Sequence, residues 1–130
     1  MDKRLERLED VFRALGDPTR LRILGLLAGG EVCVCHLYET LGIPQPKTSR
    51  HLAYLRRAGL VETRRDGQWI HYRLAEPEDA TVRTVLGAAV HTLEHVRTAE
   101  LDRSRLNRFV PRSETPRKRL PVLACCSRVR

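Results

Sequence analysis

Apolar residues recur every three to four positions from the start of the chain. Leu5, Leu8, Val11, Phe12 and Leu15 predict a helix over residues 3–15, which Gly16 ends. Asp17 is placed to cap a second helix with Pro18 at its first position. Leu21, Ile23, Leu24, Leu26 and Leu27 make that helix apolar nearly all round, so it belongs in the core; it ends at Gly29-Gly30. Residues 31–34 lead into a third helix carrying Leu37 and Leu41, and Gly42 supplies its left-handed stop. Ile43-Pro44-Gln45-Pro46 is too short and too rich in proline to continue it. A fourth helix should therefore run from about Pro46 to Ala58, with Leu52 and Leu55 inward and Gly59 as its stop. The pattern then alternates. Residues 60–65 and 69–74 read as two strands, with the hairpin signal Asp66-Gly67 between them. From Pro77-Glu78-Asp79 a long helix is expected through about Arg105, striped by Val82, Val85, Leu86, Ala89, Val90 and Leu93. The stretch 111–130 has three prolines, many arginines and no sustained period, and is expected to be loosely ordered.

Two short helices joined by a tight turn and followed by a hairpin make a winged helix–turn–helix. The expected class is mainly α with a two-stranded β wing. The N-terminal end of the second helix of such a unit enters the major groove. Here that end carries Gln45, Lys47, Thr48, Ser49, Arg50 and His51. Gln, Ser, Thr and Arg can hydrogen-bond base edges, and Lys and Arg neutralise phosphate. A merely solvated helix face would share that composition. On the wing, Arg64, Arg65 and Arg73 would lie beside DNA. The wide apolar stripe of the last helix needs a partner, and a two-fold homodimer through the terminal helices is the usual answer.

Charge strengthens the nucleic-acid reading. The formal net charge is +8, but residues 1–102 hold 15 basic and 15 acidic side chains and are neutral. Residues 103–130 hold nine basic and one acidic. Within the neutral part, residues 43–73 carry seven basic and two acidic groups, whereas 74–102 carry two and six. A basic reader thus sits on a neutral domain, as DNA binding requires. One domain over 1–105 and a basic tail over 106–130 follow. No apolar run reaches the roughly 20 residues of a membrane span. No secretory h-region opens the chain, so a cytoplasmic protein without membrane contact is expected. Four cysteines in that compartment read as metal ligands or redox thiols before disulfides.

Two of them, Cys33 and Cys35, stand directly before the helix–turn–helix. Thiolates suit soft ions, and a helix N-terminus favours the thiolate. With one residue between them, both could reach one ion only if the helix start were bent or unwound. Such deformation would misplace the DNA-reading helix, which makes a switch. Two small buried residues without a metal are the bland alternative.

GDPTRLRILGLLAGGEVCVCHL and PQPKTSRHLAYLRRAGLVETRRDGQWIHYRL resemble the ArsR/SmtB family of winged-helix metalloregulatory repressors, over about residues 8–75. EVCVCHL is similar to the ELCVCDL box of the arsenic-responsive branch. The resemblance implies a homodimer that represses a resistance operon and leaves double-stranded operator DNA when arsenite or antimonite binds. It implies As(III) held by three thiolates in a trigonal pyramid, and no organic cofactor. Two departures matter. The box usually has a third cysteine where Tyr38 stands. The family generally has Ser where Pro44 precedes Gln45, and losing that capping hydroxyl costs about 1 kcal/mol.

The tail offers Cys125 and Cys126, one of which would supply the missing thiolate, in cis or across a dimer. The adjacent pair could instead bind a separate ion, take methylarsenite, or oxidise. His91 and His95, four apart with Glu94 between, have zinc spacing; surface or interfacial histidines are the better reading, because the family's upstream partner pair is missing. A thiol enzyme such as an arsenate reductase would need a CX5R loop, which the sequence lacks. Sensors of cadmium, lead or zinc, or of oxidants, remain alternatives on the same fold.

Overall fold

A computed structural model of the chain describes residues 2–110. Helix α1 (Lys3–Leu15) starts where the Asp2 carboxylate accepts the Arg4 N–H at 2.9 Å. Asp17 caps α2 (Pro18–Leu27) in the same way, accepting the Arg20 N–H at 3.0 Å, with Pro18 in the first turn. Ile23, Leu24, Leu26 and Leu27 of α2 are all buried, so α2 is the central rod of the core. The others pack round it.

The helix–turn–helix is α3 (Val34–Leu41) and α4 (Gln45–Arg57). Gly42 takes φ +68° and its N–H closes on the carbonyls of Tyr38 and Glu39. That left-handed stop turns the chain within three residues. Pro44 occupies the N-cap of α4 without any side-chain cap, as its chemistry dictates. Leu52 and Leu55 face inward, both fully buried.

Strands β2 (Val61–Asp66) and β3 (Trp69–Leu74) form the expected wing. Asp66 pairs with Trp69, so the turn is Gly67-Gln68 rather than Asp66-Gly67. Only Gly67, at φ +60°, has positive φ, which fits a type II′ hairpin. A third strand was not expected. Residues Val32–Cys33 form β1, which pairs antiparallel with β3 and gives the order β1-β3-β2. Val32 stands opposite Tyr72, and Cys33 opposite His71.

The long C-terminal helix expected through Arg105 is two helices, α5 (Ala80–Leu93) and α6 (Arg97–Phe109). The N–H groups of Glu94, His95 and Val96 bond to carbonyls three residues back, tightening and ending α5 without Gly or Pro. The turn folds α6 back onto α2 and α3, burying Ala99, Asp102 and Leu106. Asp102 is 1% exposed and accepts two 2.9 Å hydrogen bonds from the Arg22 guanidinium, the fixed pair that holds α6 down. Burial there outweighs the unbroken helical propensity of residues 94–96. Leu5 and Phe12 of α1 and Leu101 of α6 stay open to solvent. No described helix is long and apolar enough to cross a membrane.

Candidate functional site

Cys33 is both the last residue of β1 and the N-cap of α3, with extended φ −68° and ψ 142°; Cys35 lies in the first turn. The strand-to-helix corner brings their sulfurs to 3.0 Å. The sulfurs meet with α3 wound from Val34 onward, because Cys33 lies at the N-cap and outside the helix. The strand geometry of Cys33 turns its side chain back toward Cys35. Both thiols are buried, at 2% and 1% exposed.

Tyr38 and Trp69 pack against the pair and wall it from water. Burial raises the Tyr38 hydroxyl pKa above the usual value, with Cys35, Glu39 and Cys33 adding to the same effect. The position of the absent third cysteine is thus filled by a neutral phenol. Across the sheet, Cys33 faces His71 and His71 faces Arg64. Glu31 closes this row: its Oε1 is 2.6 Å from Arg64 Nη2 and 4.0 Å from His71 Nδ1. Among the described residues no third Cys, His, Asp or Glu joins the thiols in a cluster able to hold an ion. Cys125 and Cys126 lie outside the described residues.

The reader surface is narrower than the sequence suggests. Gln45, Lys47 and Arg50 are exposed at the start of α4, and Ser49 is half-buried. Thr48 is not available: it is 0% exposed, and its hydroxyl points to the Ile43 carbonyl at 3.5 Å. It shares the inward face with Leu52 and Leu55, four and seven residues on. His51 is held against the start of α2, with Nδ1 3.3 Å from Arg20 Nη1 and 3.7 Å from Asp17 Oδ2. On the wing, Arg65 is exposed. Arg73 is exposed but paired with Glu62 at 2.8 Å. Arg64 is engaged by Glu31 and lies 3.7 Å from Asp66, so it faces the thiol corner rather than solvent. Strand alternation separates it from Arg65.

Four residues that the sequence did not single out belong to this assembly. Arg20 joins α1, α2 and α4; Glu31 holds Arg64; Trp69 covers the thiols; His71 backs Cys33. Asp17 was legible as a cap, but its approach to His51, like that of Arg20, is a long-range contact. His91 and His95 sit edge to face at 5.8 Å, with His91 in the last turn of α5 and His95 in the connection beyond it. They lie on the surface, away from the thiols.

The pattern described as "Bacterial regulatory protein, arsR family" matches residues 17–63, which include β1, the thiol corner, the helix–turn–helix and the start of the wing. The arsenic resistance transcriptional regulator ArsR1 of Pseudomonas putida is 50% identical over 84 residues, 60% of this chain and 65% of that protein. The arsenical resistance operon repressor of Escherichia coli is 53% identical over 66 residues, 50% of this chain and 56% of that protein. The chain thus spans less than two thirds of either relative. The homodimeric winged helix–turn–helix DNA-binding domain of a possible ArsR-family regulator from Mycobacterium bovis superposes with TM-score 0.57 and 35% identity, over 74% of this chain and 94% of that one. A three-stranded winged helix–turn–helix, the matched segment and these relatives lead to one statement: the chain belongs to the ArsR family of winged helix–turn–helix transcriptional regulators.

Proposed function

We propose that this chain represses an arsenic-resistance operon as a homodimer and leaves its operator when trivalent arsenic or antimony binds Cys33 and Cys35. The observation that carries the reading is the pair of buried thiols 3.0 Å apart at the corner from which α3 starts. Two bonds of roughly 2.3 Å meeting near a right angle place sulfurs about 3.3 Å apart. The corner is therefore close to preformed for two of the three thiolates that As(III) takes. A third thiolate from Cys125 or Cys126, in the same chain or across the dimer, completes the set. The dimer covers Leu5, Phe12 and Leu101, which a lone chain leaves wet.

Gln45, Lys47, Ser49, Arg50 and His51 at the start of α4 contact the major groove, and Arg65 and Arg73 reach adjacent phosphates. With the two sulfurs already in place, it is the seating of a third thiolate beside Tyr38 and Trp69 that displaces the start of α3, and α4 follows across the three-residue turn. To reverse a 99:1 preference for the DNA-bound shape, the ion must favour the other shape by about 5.5 kcal/mol. Structural zinc–thiolate sites yield about 10–16 kcal/mol, so thiolate binding has the necessary scale.

The test is fluorescence anisotropy on a duplex from upstream of the gene, titrated with arsenite, antimonite, methylarsenite, cadmium, lead and zinc under reducing conditions. Release by arsenicals or antimonite, abolished by Cys33→Ser or Cys35→Ser, is expected. Release by zinc, lead or cadmium alone, or by oxidant alone, would replace the arsenical reading. The Cys125→Ser/Cys126→Ser double variant tests the third ligand: an unchanged arsenite response removes the tail from the site.

A further inference from the structure

His51 lies on α4 one turn after Lys47, and its ring is fixed by a residue of another helix. Arg20 reaches it from the first turn of α2, with Nη1 3.3 Å from His51 Nδ1. Arg20 is itself pinned on several sides. Its Nε donates to the Ala14 carbonyl at 2.8 Å and its Nη2 to the Arg13 carbonyl at 3.0 Å. Its guanidinium carbon stacks 4.1 Å above the Tyr54 ring, on α4 three residues beyond His51. The cation therefore cannot move away from Nδ1 without giving up two carbonyls and an aromatic face.

A guanidinium has five donors, no acceptor, and keeps its proton in proteins. A hydrogen bond from it to Nδ1 requires a lone pair there. In a neutral imidazole the proton then resides on Nε2. Asp17 does not compete for this edge: its Oδ2 is 3.7 Å from Nδ1 and already accepts the Arg20 N–H at 3.0 Å. Nε2–H is then on the other side of the ring from the nitrogen that Arg20 holds, and the His51 side chain keeps 17% of its surface exposed on the helix end that carries Gln45, Lys47 and Arg50.

We propose that His51 meets DNA as a neutral Nε2–H donor whose tautomer is set by Arg20. This rests on α4 being the DNA-reading helix and gives one of its residues a directional role. Such a donor accepts only partners with a lone pair: a purine N7, guanine O6, thymine O4 or a phosphate oxygen. It disfavours the N4 amino group of cytosine. Arg20 is the positioning residue and touches no DNA itself.

The experiment has two arms on the full chain. Nitrogen-15 spectra of the free protein at neutral pH read the tautomer directly; Nε2–H with a bare Nδ1 is expected, and an imidazolium or an Nδ1–H tautomer overturns the proposal. Arg20→Met should let both tautomers appear while thermal unfolding stays cooperative. Binding to the upstream duplex is then measured for His51→Asn and His51→Gln. Asn places its amide near Nδ1 and loses the outer donor, so affinity should fall at least tenfold; Gln places a donor near Nε2 and should recover most of it. Equal affinity of His51→Asn and the parent chain overturns the role, as does equal loss in both variants.

Repeating the measurement on duplexes with single base changes separates the two acceptor sources. A loss confined to one base pair identifies a base edge, and a uniform loss identifies phosphate. If the wild-type chain fails to bind the duplex, this inference and the repressor reading fall together. If the His51 effect stands while arsenite releases nothing, only the sensor reading falls.

Discussion

Arg64 and Glu31 are joined by three hydrogen bonds, Nη2 to Oε1 at 2.6 Å and Nε to the two carboxylate oxygens at 3.1 and 3.2 Å. Glu31 stands two residues before Cys33, and Arg64 sits on the outer strand of the wing, so one ion pair links the thiol corner to the wing. The hydrogen bond to Glu31 is the first cause of the raised Arg64 pKa, ahead of the opposing effect of burial. Arg64 is thus a strut, whereas Arg65, on the opposite face of the same strand, is exposed and under the proposed function meets phosphate.

The two arginines should separate experimentally. Arg64→Ala leaves the largely buried Glu31 carboxylate without its cation, at a cost of about 1–3 kcal/mol. For a domain of this size that is a fall in Tm of about 4 °C or more. Arg65→Ala should leave Tm nearly unchanged and reduce the slope of log affinity against log salt by about 0.9. Salt titrations of DNA binding and thermal melts of both variants check this. Equal losses of slope would make Arg64 a phosphate contact and remove the strut.

Trp69 is the chain's one tryptophan and packs directly against Cys33 and Cys35. Arsenite added to the reduced protein should change its fluorescence saturably, at about one ion per chain if each corner binds one ion. Cys33→Ser and Cys35→Ser should each abolish the change. A saturable change that survives in Cys33→Ser/Cys35→Ser would place the ion elsewhere.

The helices were legible because their signals are local. Stripes such as Leu5–Leu8–Val11, the Asp17 cap and the Gly42 stop all act within one or two turns. Two features were not. Strand β1 is two residues long and exists only through pairing with β3, nearly forty residues on. The break between α5 and α6 contains no glycine or proline and is set by burial of Asp102 against Arg22. The same division runs through the site. The two cysteines could be read from their spacing, but the meeting of their sulfurs depends on the β1 register. Thr48 was read as a DNA contact from its residue type, although its spacing from Leu52 and Leu55 already placed it inward. Arg64 and Arg65 look alike in sequence; only the partner across the sheet tells them apart.

Arg22 and Asp102 set a third prediction. Asp102 is almost fully buried, and Arg22 is about three quarters buried by its side chain. Its pKa is raised chiefly by the hydrogen bond to Asp102, against the opposing effect of burial. Asp102→Ala strands the cation between α2 and α6 and should cost about 3 kcal/mol, the lower end for a broken buried pair because Arg22 keeps some access to water. The apolar pair Arg22→Met/Asp102→Leu should regain most of that stability. Urea unfolding of the three chains decides it. A double variant no more stable than Asp102→Ala would mean that the pair contributes more than charge compensation.

Asp17 gives a pH dependence with a defined sign. Burial alone would push its carboxyl up, but hydrogen bonds from the Arg20 and Thr19 N–H groups, together with the nearby Arg20 charge, hold it below the usual carboxylate value. A depressed carboxyl stabilises the fold in full above its unfolded pKa, and that contribution is lost as pH falls through the lower native value. Asn also caps helices but does not titrate in this range. The stability difference between the wild-type chain and Asp17→Asn should therefore be constant from about pH 5 upward, then shrink as the solution is acidified below the usual carboxylate range of about 4. Comparing the two chains cancels other acid-sensitive caps such as Asp79, whose carboxyl is also held low, first by the Thr81 N–H. Thermal melts of both proteins from pH 7 to pH 3 measure the difference. A gap that widens on acidification would reverse the sign and show that the protonated, not the ionised, form of Asp17 is favoured in the fold.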